Sequence, residues 1–200
     1  MELLIQFVLA AGLAWASGIR LYLVLFVVGL LARFDHVTLP ETLAVIENDW
    51  VLWASGIMLV GEFVADKVPA FDSMWDGLHT FIRIPIGTLL AWGALGDYGP
   101  AAQMAAGLIG GTLVTGAHLT KAGTRAVINH SPEPVSNWTA SAAEDGLVAL
   151  SLWLMLAHPW VFAVLLGIAV LVMIWVIPKV WRALGWVVRR ITGRAEAAPA

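Results

Sequence analysis

The chain has no cysteine, which excludes disulfides, thiolate metal sites and cysteine nucleophiles. Charge is scarce: 12% of residues are Asp, Glu, Lys or Arg, and the formal net charge is -3. No basic excess is available to meet the phosphates of a nucleic acid, so that class of partner is excluded. No serine stands in a nucleophile elbow, which argues against serine hydrolase chemistry. The N-terminus lacks the basic stretch that opens a secretory signal, because Met1-Glu2 leads directly into apolar residues. The first segment is therefore read as a retained helix.

What is present is apolar. Hydrophobic residues make up 60% of the 200 positions and the mean hydropathy is +0.84, values of an integral membrane protein. Eleven tryptophans fit that class, since indole rings favour the membrane–water boundary. The expected fold is an all-α bundle of about six transmembrane helices, over residues 3–32, 50–68, 75–95, 101–129, 137–157 and 160–177. The first segment exceeds the ~20 residues that cross a hydrocarbon core, and Gly12 and Gly18 are the expected places for a bend.

Lys67, Lys121 and Arg125 cluster near the 68–74 and 130–136 connections, and Lys179, Arg182, Arg189, Arg190 and Arg194 lie in the tail. The 33–49 connection is acidic instead, with Asp35, Glu41, Glu47 and Asp49 against Arg33. Six spans with both termini cytoplasmic put every basic end on one side, the orientation expected in a bacterial inner membrane. The domain reading is a membrane bundle over 1–178, an amphipathic interfacial helix over 179–194 and a disordered tail over 195–200. The interfacial helix would meet anionic lipid headgroups; a plain positive stop signal for the last span is the alternative. Gly107, Gly110, Gly111 and Gly116 stud the fourth span, a close-packing face for a helix of the same chain or of a second subunit in a homo-oligomer.

Inside these segments lie two polar clusters. The first is Glu62, Asp66, Lys67, Asp72, Asp76, His79 and Arg83. The second is His118, Lys121, Arg125, Asn129, Asn137, Ser141, Glu144 and Asp145. Ionisable groups at membrane depth cost at least ~2–3 kcal/mol each when unpaired, so they line a cavity or form a buried network. Asp76, His79 and Arg83 share one helical face at i, i+3 and i+7, and His118, Lys121 and Arg125 repeat that spacing. Two similar hairpins result, each turning at a proline-containing loop, and an internal repeat is expected. Trp-Ala-Ser-Gly-Ile also occurs twice, at 15–19 and 53–57. Glu62 and Asp66, four apart on one face, must share a proton, bind a cation or find two cationic neighbours. Arg20 needs a carboxylate or an anionic ligand, with Glu62 and Glu144 the candidates; snorkelling to the surface is the alternative.

The run Glu62, Asp66, Lys67, Pro69, Asp72, Ser73, Trp75, Asp76, His79, Thr80, Arg83, Pro85 and Gly87 resembles the signature of the bacterial membrane family called domain of unknown function 4126. Ala16-Ser17-Gly18-Ile19-Arg20, His118 with Lys121, Gly123 and Arg125, and the Ser136-Asn137 pair before Glu144-Asp145 are similar too. The resemblance covers about residues 10–190. It implies a small polytopic membrane protein and brings no activity with it.

The functional expectation is a transporter or channel for an ion or small polar solute. Its site would be a cytoplasm-facing polar cavity lined by Arg20, Glu62, Asp66, Asp76, His79, Arg83, His118, Lys121, Arg125, Glu144 and Asp145. No cofactor is expected; Asp76-x-x-His79 admits a divalent cation such as Mn, Mg or Zn without demanding one. The alternative is a structural or headgroup-binding protein whose polar cluster is an ion-pair network. A third reading, an enzyme acting on a lipid phosphate, rests on Asp72-x-x-x-Asp76-Gly77. It is weakened because His79-Thr80 and a later Arg83 stand where Ala-Arg would fall.

Overall fold

In the computed structural model, residues 1–129 and 134–196 are described. Six helices follow one another: α1 (Glu2–Arg33), α2 (Asp49–Ala65), α3 (Pro69–Gly93), α4 (Pro100–Ile128), α5 (Pro134–Ala157) and α6 (Pro159–Glu196). Short 3-10 segments at Glu41–Glu47 and Gly96–Tyr98 complete the chain, and no strand occurs among the described residues. Four helices open on proline, at Pro69, Pro100, Pro134 and Pro159. The first N–H of a helix has no partner within it, so proline costs nothing there and fixes φ for the turn. Asn48 caps α2 differently, its Oδ1 accepting from the Trp50 amide at 2.9 Å.

The acidic 33–49 connection is structured. Its 3-10 segment tucks under the bundle, where the Thr42 hydroxyl donates to the Gly93 carbonyl at 2.6 Å and Leu43 and Ile46 are buried. The turn between α2 and α3 is shorter than expected, because α3 starts at Pro69 and takes Asp72 into its first turn. His130 and the rest of the α4–α5 turn through residue 133 lie outside the described residues, as do residues 197–200 of the expected tail. α6 runs through Pro178 without a break. The side chains of Trp186, Arg189 and Arg190, on which the interfacial reading depends, also lie outside the described residues.

α1 is the axis of the bundle. It packs against all five other helices, and its residues from Ala10 to Ala32 are mostly buried. Its interruption falls at Arg20, where φ is -139° and ψ is 77°, and not at Gly12 or Gly18. Those glycines serve close approach instead. A Cβ at Gly18 would lie 2.8 Å from the Ala117 Cβ of α4, and one at Gly12 would meet Met155 and Phe162. The glycines of α4 find partners within this chain, with Gly111 facing Thr88 of α3 and Gly110 facing Ala14 of α1.

The surface is inverted relative to a water-soluble protein. Trp53, Ile57, Phe63, Leu78, Phe81, Leu108, Leu171 and Trp175 are exposed, while Arg20, Glu62, Asp66, Asp72, Asp76, Arg83, Lys121 and Arg125 are buried. An apolar shell of this extent needs an apolar solvent. Three helices are long and apolar enough to cross a membrane among the described residues: Glu2–Arg33, Val135–Ala157 and Pro159–Arg182. A fourth is added if the 3-10 segment and α2, bent by 62°, count as one broken span. These long apolar helices are those of a membrane protein.

Candidate functional site: a buried charge cluster

The break in α1 places Arg20 at the centre of the polar residues. Its guanidinium pairs with Asp66, lies 3.7 Å from Glu62, 3.3 Å from Glu144 and 2.8 Å from Asp145. It also donates to the Ser141 hydroxyl at 3.0 Å and the Ser141 carbonyl at 3.1 Å. The expected partners Glu62 and Glu144 are both present, and Asp66 and Asp145 join them. Arg20 is 1% exposed, which rules out snorkelling.

Three more cations close the cluster from α3 and α4. Arg83 pairs with Glu62 and, at 2.8 Å, with Asp76. Lys121 donates to the Ile19 carbonyl beside the α1 break at 3.1 Å and stands 3.4–3.6 Å from Glu62, Asp76 and Glu144. Arg125 reaches Asp66 at 3.1 Å, Glu144 at 3.2 Å and Asp72 at 3.8 Å, and donates to the Asn137 carbonyl at 2.8 Å. Glu62 and Asp66 are therefore held by cationic neighbours, the third of the three ways open to such a pair. Lys67 stands apart from the network into which its position suggested it, its ammonium 3.3 Å over the Phe63 ring.

The spacing of the residues explains this convergence. Asp76 and Arg83 lie two turns apart on the buried face of α3, and Lys121 and Arg125 one turn apart on the buried face of α4. Glu62 and Asp66 do the same at the end of α2. The two similar triads thus face inward from neighbouring helices.

The histidines sit at the margin. The His79 Nδ1–H donates to the Trp75 carbonyl at 2.7 Å; the ring stacks on Trp75 at 4.2 Å and meets Tyr22 edge-on. His118 Nε2 and the Thr80 hydroxyl are 2.7 Å apart, and its Nδ1 lies 3.5 Å from Arg83. Among the described residues no group of three or more His, Asp or Glu side chains is arranged to hold a metal ion. The carboxylates face guanidinium and ammonium groups, and His79 is turned toward Trp75.

Of the expected site residues, Arg20, Glu62, Asp66, Asp76, Arg83, Lys121, Arg125, Glu144 and Asp145 form one connected ion-pair network. His118 touches it through Arg83, and His79 packs beside it. Asp72, Asn129, Asn137 and Ser141, members of the sequence clusters outside the expected site, belong to it as well. Thr80 and Tyr22, outside the expected site, contact His118 and His79 at its margin. Two signals point to Thr80: its place in the run that carries the family resemblance, and its position one turn after Asp76.

Six carboxylates (Glu62, Asp66, Asp72, Asp76, Glu144 and Asp145) meet four cations (Arg20, Arg83, Lys121 and Arg125). If all ionise, two negative charges are in excess among the described residues. Glu144 and Asp145 form the open rim, at 17% and 32% exposure. Glu144 and Lys121 also mark the polar end of a cavity of about 480 Å³ among α1, α4, α5 and α6. Its walls are otherwise mostly apolar, with Leu154, Phe162, Leu166 and Met173 prominent.

No curated protein and no solved structure matches the chain significantly. The buried charge signature, carried on long apolar helices, is accompanied by a family match over residues 7–179, and the chain belongs to the family described as domain of unknown function DUF4126.

Proposed function

We propose that this protein is a transporter of the bacterial inner membrane that moves an ion or small polar solute, with the charge cluster as its closed binding site. The observation that carries this reading is a buried network with two surplus carboxylates among the described residues, built around a break in the central helix. Interrupted helices with polar groups at the break recur where transporters hold their substrates. Excess charge away from water calls for a proton or another cation. The cavity at Lys121 and Glu144 supplies an approach from the side of the bundle.

All six helices cross the membrane in this reading, with both termini cytoplasmic. α3 and α4 are too polar to qualify by composition, but their charges face inward and Leu78, Phe81, Leu89, Met104 and Leu108 face outward. The matching triads of α3 and α4 favour a duplicated hairpin. A second reading, a network that only pins the bundle, is favoured by the number of ion pairs each cation makes.

Charge displacement on a solid-supported membrane separates the two. Proteoliposomes are stepped in pH, Na⁺, K⁺, Mg²⁺ and phosphate, with wild type and Glu62→Gln compared. Transport predicts a current for at least one step that the variant loses while remaining folded. Silence of folded wild type to every step, with a variant that only melts earlier, would establish the structural reading.

A further inference from the structure

We infer that the cleft beside the charge cluster binds an amphipathic organic cation drawn from the bilayer, its apolar part between α5 and α6 and its charge at Glu144. This rests on the transport reading for its functional meaning and names the substrate class of that same site.

The apolar half follows from how the helices pack. Over the described residues α5 leans on α1 and barely touches α4. The space left over is floored by Trp15 and Ile19 of α1 and walled by α4, α5 and α6. Its volume of about 480 Å³ lies within the ~300–1,000 Å³ of small-molecule sites. Along α5 the wall runs from Glu144 to Leu154, ~15 Å at the rise of a helix. Leu147, Leu150, Leu165, Ile168 and Val172 line the cleft and are also exposed on the outer face. In a membrane the mouth therefore opens toward acyl chains, and a ligand enters sideways.

The sign of the ligand follows from the polar end. Among the described residues only Lys121 and Glu144 bring charge to the wall. The Lys121 side chain is 2% exposed, and its ammonium is turned inward, donating to the Ile19 carbonyl at 3.1 Å and to Glu62 at 3.4 Å. Glu144 is 17% exposed, so the charge a ligand meets is a carboxylate. The three cations 3.2–3.6 Å from Glu144 are not its own. Arg20 also serves Asp66 and Asp145, Lys121 serves Glu62 and Asp76, and Arg125 serves Asp66.

The neutral polar groups offer an anion little. The Thr120 hydroxyl already donates to the Gly116 carbonyl at 2.7 Å, and the Thr124 and Ser151 hydroxyls serve either sign. Trp15 and Phe162 add aromatic rings, which attract cations through their quadrupole. An anionic head would meet Glu144 as a like charge, and a plain acyl chain would leave it beside hydrocarbon.

Equilibrium binding of radiolabelled tetraphenylphosphonium to the purified full chain in a maltoside detergent tests this, with tetraphenylborate, an anion of the same shape, as competitor. Wild type should bind the phosphonium saturably, and the borate should not displace it. Glu144→Gln should weaken binding about tenfold or more, as loss of an ion pair in a partly buried site does, and Glu144→Asp should restore part of it. Ala169→Phe fills the cleft from α6 without touching an ion pair, and should weaken binding as well. If Glu144→Gln does not fold, the borate competition and Ala169→Phe decide the matter. No saturable binding to folded wild type, or equal affinity in folded Glu144→Gln, would overturn the proposal. Equal binding of phosphonium and borate would overturn it by giving the cleft to neutral lipid chains, and a dimer that Ala169→Phe breaks would do so by giving it to a second copy. A phosphonium step added to the proteoliposome assay, read over protein-free vesicles, separates this site from the transport reading. Binding without current at any step would sink transport and leave the site standing; current without binding would sink the site alone.

Discussion

Replacement of Arg20 by glutamine removes the group that touches the most carboxylates. Glu62, Asp66, Glu144 and Asp145 all lie within 3.7 Å of its guanidinium, and Glu62 and Asp66 are buried beyond reach of water. Glutamine can still donate to the Ser141 carbonyl or to one carboxylate, but it neutralises none of them. Breaking a buried pair by deleting one partner costs about 3–5 kcal/mol, because the other charge stays buried. Glu62 keeps Arg83 and Lys121, and Asp66 keeps Arg125, which places the loss at the lower end, ~3 kcal/mol. For a chain of this size each kcal/mol moves the midpoint by roughly 2–4 °C, so a fall of about 6–12 °C is expected. The assay is thermal unfolding in mild detergent, read as the surviving monodisperse fraction on size-exclusion. Adding Asp66→Asn should recover part of the loss, since the double variant no longer strands that charge. A melting point for Arg20→Gln within about 2 °C of wild type would refute the claim that Arg20 is the hub.

Gly18→Val should destabilise the chain by about 1–3 kcal/mol, as overpacking does. A Cβ there already sits 2.8 Å from Ala117 and meets the Val114 carbonyl, and a normal melting point would contradict this α1–α4 contact. Phe81, 82% exposed on α3, should face lipid; with no native cysteine in the chain, Phe81→Cys in vesicles should resist a membrane-impermeant maleimide until detergent is added. Rapid labelling in intact vesicles of both orientations would remove α3 from the spans. Glu144→Gln should destabilise less than Glu62→Gln in the same thermal assay, because Glu144 is 17% exposed and Glu62 is fully buried. The reverse order would mean that the rim, and not the interior, holds the bundle together.

The helices and their inward charges were legible because periodicity survives in an apolar chain. Asp76 with Arg83, and Lys121 with Arg125, can only project from one face of a helix. Arg20 was legible as a cation in need of carboxylates, since a lone guanidinium in an apolar run has few other outlets. The break at Arg20 was not, for its cause is tertiary. Glycine marks where backbone is permissive, and Gly12 and Gly18 instead admit Phe162 and α4. The interruption falls where a side chain is held by α2 and α5 at once. Asp72 falls in the expected 68–74 connection, whereas Pro69 opens α3 there and carries Asp72 into the core. Lys67 misled in the opposite direction: its place between Asp66 and Asp72 suggested a partner, but the end of α2 turns it onto Phe63.

The number of ion pairs does not decide between a brace and a binding site; the balance of charge does. Burying ion pairs is at best about neutral against well-packed apolar side chains, so a cluster serving only to brace helices has no reason to hold more carboxylates than cations. Among the described residues the excess is two, in a bundle whose outer face is apolar on α2, α3, α4 and α6. One surplus charge can be placed at the rim, where Asp145 is 32% exposed. The other lies behind Arg125 with Asp72, where solvent does not reach. A buried excess of this kind is what the proposed handling of an ion would use, and a brace has no need of it.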